Sequence, residues 1–234
     1  MSNNVTADTG GSMSSTSTQR ITATSGEHSE GRSRQRWRCL QVVCVCWVIL
    51  CVCGVASLVH YSNTAGADSA GIPAEVPSQA IDNNADYTLL MFVHPHCSCS
   101  RASVRQLERI LARCDGRVAT RIYFYSPDDQ PETWVRSALW DQARGIPGVK
   151  TQLDRNGSLA RQCGVTTSGH VQLFDIRKQL QFSGGITVSR GHEGDNFGSS
   201  SVMAIIRGES DDQTTTETPV FGCQIQQVLR RGQS

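Results

Sequence analysis

A repeating order of apolar strands and amphipathic helices begins near Tyr87. Residues 89–93 are consecutively apolar, which is the pattern of a strand covered on both faces. Pro95 disfavours helix at His94 and marks a break after this strand. The next apolar residues recur at the spacing of one helix face: Leu107, Ile110, Leu111 and Cys114. The pattern therefore predicts a buried strand, a sharp turn and a helix, which Asp115-Gly116 would end.

Strands and helices continue to alternate after this first unit. The predicted elements are a strand over 118–125, a helix over 131–145, a weak strand over 149–153, a short helix near 159–163, a hairpin of 170–174 and 179–183, a glycine-rich loop over 184–198, a helix near 202–206 and a last short helix after 223. Alternation implies right-handed crossovers and parallel strands, whereas the hairpin is antiparallel. We therefore expect an α/β domain whose mixed sheet has helices on both faces.

A long apolar stretch precedes this domain. Residues 1–38 begin with a Ser-, Thr- and Gly-rich part, which predicts disorder, and finish with four closely spaced arginines. Residues 40–59 contain only Gln41 and Ser57 as polar members and are long enough to cross a bilayer. Under the positive-inside rule, the N-terminus is cytoplasmic and the C-terminal part extracytoplasmic. We expect a single-pass protein of the cell membrane.

Cleavage of the apolar stretch is the alternative to an anchor. Ala65-Gly66-Ala67 has the small-x-small form of a signal-peptidase site, so residues 39–60 could be a long signal sequence. The stretch is longer than the usual signal core, which favours the anchor. Residues 61–85 predict a linker and residues 86–234 the folded domain. Either outcome exports that domain.

Charge adds little, but the cysteines are informative. The formal net charge is +1, so composition gives no reason to expect a nucleic-acid partner. Five of the ten cysteines lie in or beside the apolar stretch, and the others are Cys97, Cys99, Cys114, Cys163 and Cys223. An odd number leaves at least one thiol unpaired within the domain. Cys114 and Cys163 lie on apolar helical faces, so we expect them to be buried and unreactive.

Cys97 lies where a reactive thiol is favoured. It stands at the start of the predicted helix, whose unpaired N–H groups and dipole stabilise a thiolate, with Arg101 one turn on. The imidazoles of His94 and His96 are close in sequence and would tune this thiolate. Cys99 could resolve a disulfide in a tight Cys-x-Cys ring, and Cys223 could do so if the C-terminal segment folds back.

Two other interpretations remain open. Two imidazoles and two thiolates within six residues suit copper(I) or zinc, with the ligands His94, His96, Cys97 and Cys99. The glycine-rich loop holds His192, which could supply an acid or a ligand beside the thiols, or could simply be solvated. A redox-inert interaction domain is the third hypothesis.

The domain resembles the thioredoxin superfamily. The resemblance rests on a strand ending at Phe92, Cys97 five residues later at a helix start, and the segment from Gly164-Val165 into 171–175. A bacterial group labelled RedB-like has similar amino-acid sequences in five short stretches: residues 94–103, 167–170, 184–187, 190–196 and 222–223. The resemblance implies a membrane-anchored thiol–disulfide oxidoreductase that needs no cofactor and acts on an exported thiol or disulfide protein, for example in the periplasm.

Two departures from the superfamily pattern concern the active turn. The family pair is Cys-x-x-Cys, but the second family position is Ser100 here. The family's cis-proline position falls on Gly169, which is followed by His170. Losing that proline should open space beside the thiols. Ordinary thioredoxin chemistry is therefore not implied.

Overall fold

A computed structural model describes residues 27–66, 80–114 and 116–225. Within it, contacts divide the chain into one unit that ends at Gly54 and another that begins at Val55. The predicted disorder of residues 1–26 and the predicted helix beyond 225 lie outside the described residues.

The N-terminal helix α1 runs from Glu27 to Asn63 and is longer at both ends than the predicted span. From Arg34 to Asn63 its hydropathy reaches 2.8, and it is long and apolar enough to cross a membrane. Residues 27–38 are helical, contrary to the predicted disorder, because helix once nucleated extends readily through Arg, Gln and Glu. The helix ends where the side chains of three residues bond back to carbonyls four residues earlier: Ser62, Asn63 and Thr64.

The second unit is built on a six-stranded mixed sheet. Its elements are β1 (Tyr87–Val93), α2 (Ser98–Leu111), β2 (Val118–Ser126), α3 (Glu132–Val135), α4 (Ala138–Arg144), β3 (Val149–Arg155), α5 (Ser158–Gln162), β4 (His170–Asp175), β5 (Leu180–Gly184), α6 (Phe197–Arg207) and β6 (Glu217–Thr218). The strand order is β3-β2-β1-β4-β5-β6. β1, β2 and β3 are parallel, and β4 is antiparallel to both β1 and β5. The predicted mixed sheet is confirmed.

Apolar side chains leave the central strand on both of its faces. Leu89, Met91 and Val93 pack into one buried cluster, which also contains residues of α2, α4 and α6. Leu90 and Phe92 pack into a second cluster, which includes Ala160 of α5 and Ile225. This is why the sequence of β1 is continuously apolar and does not alternate.

Two details differ from the sequence prediction. The helix predicted over 131–145 is divided into α3 and α4, because Arg136 leaves the helical region (φ −74°, ψ 62°). Ser137 then donates a hydrogen bond from its hydroxyl to Pro95 O (2.9 Å), which fixes the start of α4 beside the turn after β1. The two-residue strand β6 has too short a pattern to be predicted from sequence.

Candidate functional site

Three cysteine sulfurs lie together at the carboxyl end of β1. Cys97 is the N-cap residue of α2 with an extended backbone, and Cys99 lies in the first helical turn. Cys223 comes from the far C-terminal end of the described chain. The Sγ atoms of all three residues lie within 4.8 Å of one another. The turn is closed by a hydrogen bond from Cys97 N–H to His94 O (3.0 Å).

A short C-terminal segment, residues 220–225, carries Cys223 to this position. Ser168 N–H donates to Cys223 O (2.8 Å), and Ile225 N–H donates to Thr166 O (2.8 Å). Thr167 pairs with Gln224 in an antiparallel bridge. The Ile225 side chain is 2% exposed and belongs to the second core cluster. The C-terminal segment is therefore docked against residues 166–168 through one antiparallel bridge, and sequence alone left this folding back open.

Glycine at position 222 allows the close approach of this segment. A Cβ atom on Gly222 would lie 1.8 Å from Ser168 O, far inside any real contact. The carbonyl of Gly222 accepts a hydrogen bond from the Arg190 guanidinium, which also lies over the Tyr61 ring (5.0 Å to the centroid). Arg190 thus connects the C-terminal segment to the end of α1. Sequence reasoning gave neither Arg190 nor Gly222 a role.

Ser168 joins the parts of the site. Its hydroxyl accepts a hydrogen bond from His94 N–H (2.7 Å) and shares another with the Ser100 hydroxyl (2.6 Å). Its own N–H holds the carbonyl of Cys223. The side chain is fully buried. Sequence reasoning missed this role. The one hint was that Ser168 precedes Gly169 within residues 167–170, a stretch that is similar to the RedB-like group.

The two central thiols differ in acidity. Burial raises the pKa of Cys97, but hydrogen bonds from the Ser100 and Cys223 side chains and backbones outweigh it and lower that pKa below its ordinary value. Burial, the hydrogen bond to Cys97 and the charges of Cys97 and Cys99 raise the pKa of Cys223 to about 12. The two shifts are opposite in direction, so ionisation is favoured at Cys97 over Cys223. Ser100, at the family's second-cysteine position, stabilises the Cys97 thiolate.

The two histidines of the turn face an aromatic neighbour. The ring of His94 stacks on Tyr125 (5.8 Å), and burial followed by the charge of His96 lowers the pKa of His94. The His96 ring shares a hydrogen bond from Nε2 with Trp134 O (3.0 Å). Neither imidazole joins the three-sulfur group among the described residues. Arg101 is exposed on α2.

The other predicted supporting histidines also lie outside the sulfur group. His170 is 2% exposed, shares a hydrogen bond from Nε2 with the Ser183 hydroxyl (2.8 Å), and has its pKa lowered to about 4 by burial. His192 contacts Arg190 O (2.8 Å) and the Ser189 hydroxyl (3.1 Å) through Nδ1. Its neighbour in the loop, Glu193, pairs with arginines of α2.

Gly169 occupies a position that proline could not adopt in this backbone. Its φ is +91°, and its N–H donates to Phe92 O (2.7 Å). A Cβ atom here would lie 2.8 Å from the Ser103 hydroxyl. The expectation that a missing proline opens space beside the thiols is therefore wrong, because Ser103 fills it.

The remaining domain cysteines are buried, as predicted. Cys114 is 3% exposed in the first core cluster, and Cys163 is fully buried in the second. Burial, followed by the charge of Asp154, raises the pKa of Cys163 to about 12. Such a thiol stays protonated near neutral pH and is a poor nucleophile.

Comparison with known proteins bears on the fold. No family model and no curated protein matches the chain. A hypothetical protein from Sinorhizobium meliloti 1021 is similar in structure, with a TM-score of 0.52 and 18% identity over 70% of this chain and 97% of that one. An uncharacterised conserved protein from Geobacillus kaustophilus gives a TM-score of 0.47 and 15% identity over 69% and 91%. The thioredoxin domain of a thiol-disulfide oxidoreductase from Bacteroides vulgatus gives a TM-score of 0.38 and 16% identity, over 60% of this chain and 99% of that one.

The strand order agrees with the thioredoxin-like architecture that the sequence resemblance implies. The parallel strands, the antiparallel β4–β5 hairpin and the helix beginning after Cys97 are the features that the resemblance led us to expect. At these identities the likeness concerns the fold alone. The RedB-like subgroup stays a prediction.

Proposed function

We propose that the chain carries out thiol–disulfide exchange, with Cys97 as nucleophile and Cys223 as resolving thiol. The observation that carries the proposal is that the Cys97 and Cys223 side chains, from segments distant in sequence, lie side by side at the carboxyl end of β1. Their sulfurs lie within 4.8 Å, so a small movement of the C-terminal segment brings them to bonding distance. A thiolate held beside a protonated thiol is what exchange requires.

The exchange takes place in two balanced steps. The Cys97 thiolate attacks one sulfur of a partner disulfide, forms a mixed disulfide and releases the other partner sulfur as thiolate. Cys223 then gives its proton to the partner thiolate released in the first step, attacks Cys97 Sγ and releases the second partner thiolate. The partner gains two electrons, and the chain ends as a Cys97–Cys223 disulfide. In reverse, the same steps oxidise a partner dithiol.

The raised pKa of Cys223 fits this order of events. After burial, its next causes are the hydrogen bond to Cys97 and the charge of Cys97. Both are lost when the Cys97 sulfur enters a mixed disulfide. Cys223 therefore ionises more readily at the step that needs its thiolate.

Cys99 is the less favourable resolving thiol. The Cys97 and Cys99 sulfurs also lie within 4.8 Å of each other, but a disulfide between residues two apart closes a small, strained ring and requires the first turn of α2 to change. That turn is held by a hydrogen bond from Ser100 N–H to Cys97 O (3.2 Å). Cys223 reaches Cys97 from a separate segment and leaves α2 intact.

Access to Cys97 depends on the C-terminal segment. Cys97 is only 4% exposed, whereas Cys99 and Cys223 are half-buried. A protein partner therefore reaches the Cys97 sulfur when residues 220–225 move aside, and the return of this segment brings Cys223 to the mixed disulfide.

The proposal also includes the cellular location of the domain and the kind of partner it meets there. The apolar part of α1 anchors the chain in the cell membrane with the N-terminus cytoplasmic, and the partner is an exported thiol or disulfide protein. The length and hydropathy of α1 support the anchor, and the arginines before it support the orientation. An exported compartment also allows disulfides to persist.

Thiol counting on the full chain in detergent tests the proposal. Samples are equilibrated in a graded series of glutathione redox buffers, trapped with acid, alkylated and analysed by peptide mass spectrometry. We expect one reversible two-electron step that links the Cys97 and Cys223 peptides, is lost in Cys97→Ser and Cys223→Ser, and persists in Cys99→Ser. A step that survives Cys97→Ser would refute the nucleophile, and one lost only with Cys99 would refute the resolving thiol.

Metal analysis of the same protein samples, together with the thiol counts, addresses the remaining hypotheses. A metal site on the turn after β1 predicts that the chain binds copper or zinc and that the His94→Ala variant does not. Of the four ligands proposed for that site, only Cys97 and Cys99 belong to the group of close sulfurs. A redox-inert interaction domain predicts no reversible step in any sample.

A further inference from the structure

The three sulfurs have a geometry suited to one metal ion. Cys97, Cys99 and Cys223 come from two segments distant in sequence, yet their sulfurs lie within 4.8 Å of one another. Metal–thiolate bonds are about 2.3 Å long, which places three sulfurs around one ion about 4 Å apart. Only small side-chain rotations therefore separate the observed arrangement from a trigonal site.

The set of ligands favours copper(I) over zinc. Structural zinc is almost always held by four ligands, and no fourth Cys, His, Asp or Glu of the described residues joins the three sulfurs. The nearby imidazoles are engaged elsewhere: His94 Nδ1 accepts from His96 N–H (3.2 Å), and His96 Nε2 contacts Trp134 O. Soft thiolates without nitrogen or oxygen ligands select copper(I).

The surroundings offset the negative charge of such a site. Three thiolates around a monovalent ion carry two net negative charges. Cys97 is the N-cap residue of the 14-residue helix α2, whose dipole favours negative charge at this end, and the first turn of α2 holds no acidic residue. The Arg190 guanidinium interacts electrostatically with Cys223. The burial of Cys97 shields one ligand from water.

We infer that Cys97, Cys99 and Cys223 form a trigonal copper(I) site. This ligand set differs from the His-Pro-His-Cys-Ser-Cys turn, because it excludes both imidazoles and requires the docked C-terminal segment. Copper(I) and the Cys97–Cys223 disulfide exclude each other, since the disulfide leaves only Cys99 as a thiolate. Metal occupancy therefore protects these thiols from oxidation and alkylation.

The test uses the full reduced chain in detergent under anaerobic conditions. The five cysteines of α1 are thiols that would compete for copper(I), so the parent for all variants has five alanine substitutions there: Cys39→Ala, Cys44→Ala, Cys46→Ala, Cys51→Ala and Cys53→Ala. Copper(I) is titrated in competition with bicinchoninate, a chromophoric chelator. We expect one tightly held ion per chain, with about three sulfur neighbours near 2.3 Å in its X-ray absorption spectrum.

Variants separate this site from the alternatives. Outer-shell changes cost metal sites about 10- to 100-fold in affinity, so loss of a ligand in Cys99→Ser or Cys223→Ser should cost more than ~100-fold. His96→Ala is the matched control and should leave affinity unchanged. The Cys99 side chain is half-buried in the first turn of α2, so its replacement by serine should not unfold the domain. A circular dichroism spectrum like that of the parent will show that the Cys99→Ser variant is folded.

Two results would overturn the inference. One is copper(I) affinity that Cys223→Ser leaves unchanged, and the other is affinity that His96→Ala removes. Neither depends on the exchange reaction, because a chain that binds copper(I) through these sulfurs can still lack a reversible disulfide step. The two proposals can therefore fail separately.

Discussion

Replacing Gly222 by alanine should weaken the proposed Cys97–Cys223 disulfide without touching either sulfur. The added Cβ would lie 1.8 Å from Ser168 O, and the obstacle is backbone, so the C-terminal segment must shift. The shift breaks the hydrogen bonds on either side of Cys223, from Ser168 N–H to Cys223 O and from Ile225 N–H to Thr166 O, both 2.8 Å long.

The expected magnitude follows from these two bonds. Each contributes about 1 kcal/mol net, so their loss removes about 2 kcal/mol from the docking that presents Cys223 to Cys97. That corresponds to about a 30-fold smaller equilibrium constant for closing the disulfide. For a two-electron couple it makes the midpoint potential about 40 mV less negative.

The assay is the redox titration of the full chain described above, carried out in parallel with hydrogen exchange. Gly145→Ala is the matched control, because Gly145 has a φ of −72° and a Cβ there would lie 3.4 Å from the nearest backbone oxygen. We expect Gly145→Ala to keep the parent potential. If Gly222→Ala speeds exchange at the Ser168 and Ile225 amides but leaves the potential unchanged, docking does not set the stability of the disulfide and the reasoning is refuted.

Two further predictions concern stability. The pKa of His170 is lowered to about 4 by burial, so the unfolded chain takes up a proton there between about pH 6.5 and 4 while the folded chain does not. The free energy of unfolding should therefore fall by up to about 3 kcal/mol as pH drops through this window, and urea titrations should show a flatter profile for His170→Gln; an equal slope in both proteins contradicts the assignment. Gly169→Ala should cost about 1–3 kcal/mol in the same assay, because it strains a φ of +91° and crowds the Ser103 hydroxyl. Gly208→Ala, at φ +72° in open space, controls for backbone strain alone, and equal costs for both would rule out the Ser103 contact.

Much of the fold could be predicted from local pattern. The continuous apolar run of β1 indicated a strand covered on both faces, and the structure places it in the middle of the sheet. The break at Pro95 and the helical spacing after it located Cys97 at a helix start, where it is the N-cap residue of α2. Short or irregular elements were harder. β6 has two residues, and the gap between α3 and α4 comes from one residue, Arg136.

The thiol site was predicted only in part. Sequence identified Cys97 and listed Cys99 and Cys223 as possible partners, but it could not choose between them. It also placed His94 and His96 among the ligands or tuning groups, because they are neighbours along the chain. In the structure both rings contact aromatic residues or backbone groups outside the sulfur group. Closeness in sequence does not set the direction of a side chain in a turn.

The sequence by itself determined the apolar helix, the order of strands and helices, and a thiol at the mouth of α2. These depend on the periodicity of nearby residues, which a single chain displays directly. Only the tertiary structure decided that Cys223 lies against Cys97. That contact requires residues 220–225 to pair with residues 166–168, and it depends on backbone hydrogen bonds and on the absence of a Cβ at Gly222. Backbone pairing between distant segments leaves little trace in residue patterns, so the closeness of Cys223 to Cys97 became visible only in the folded chain.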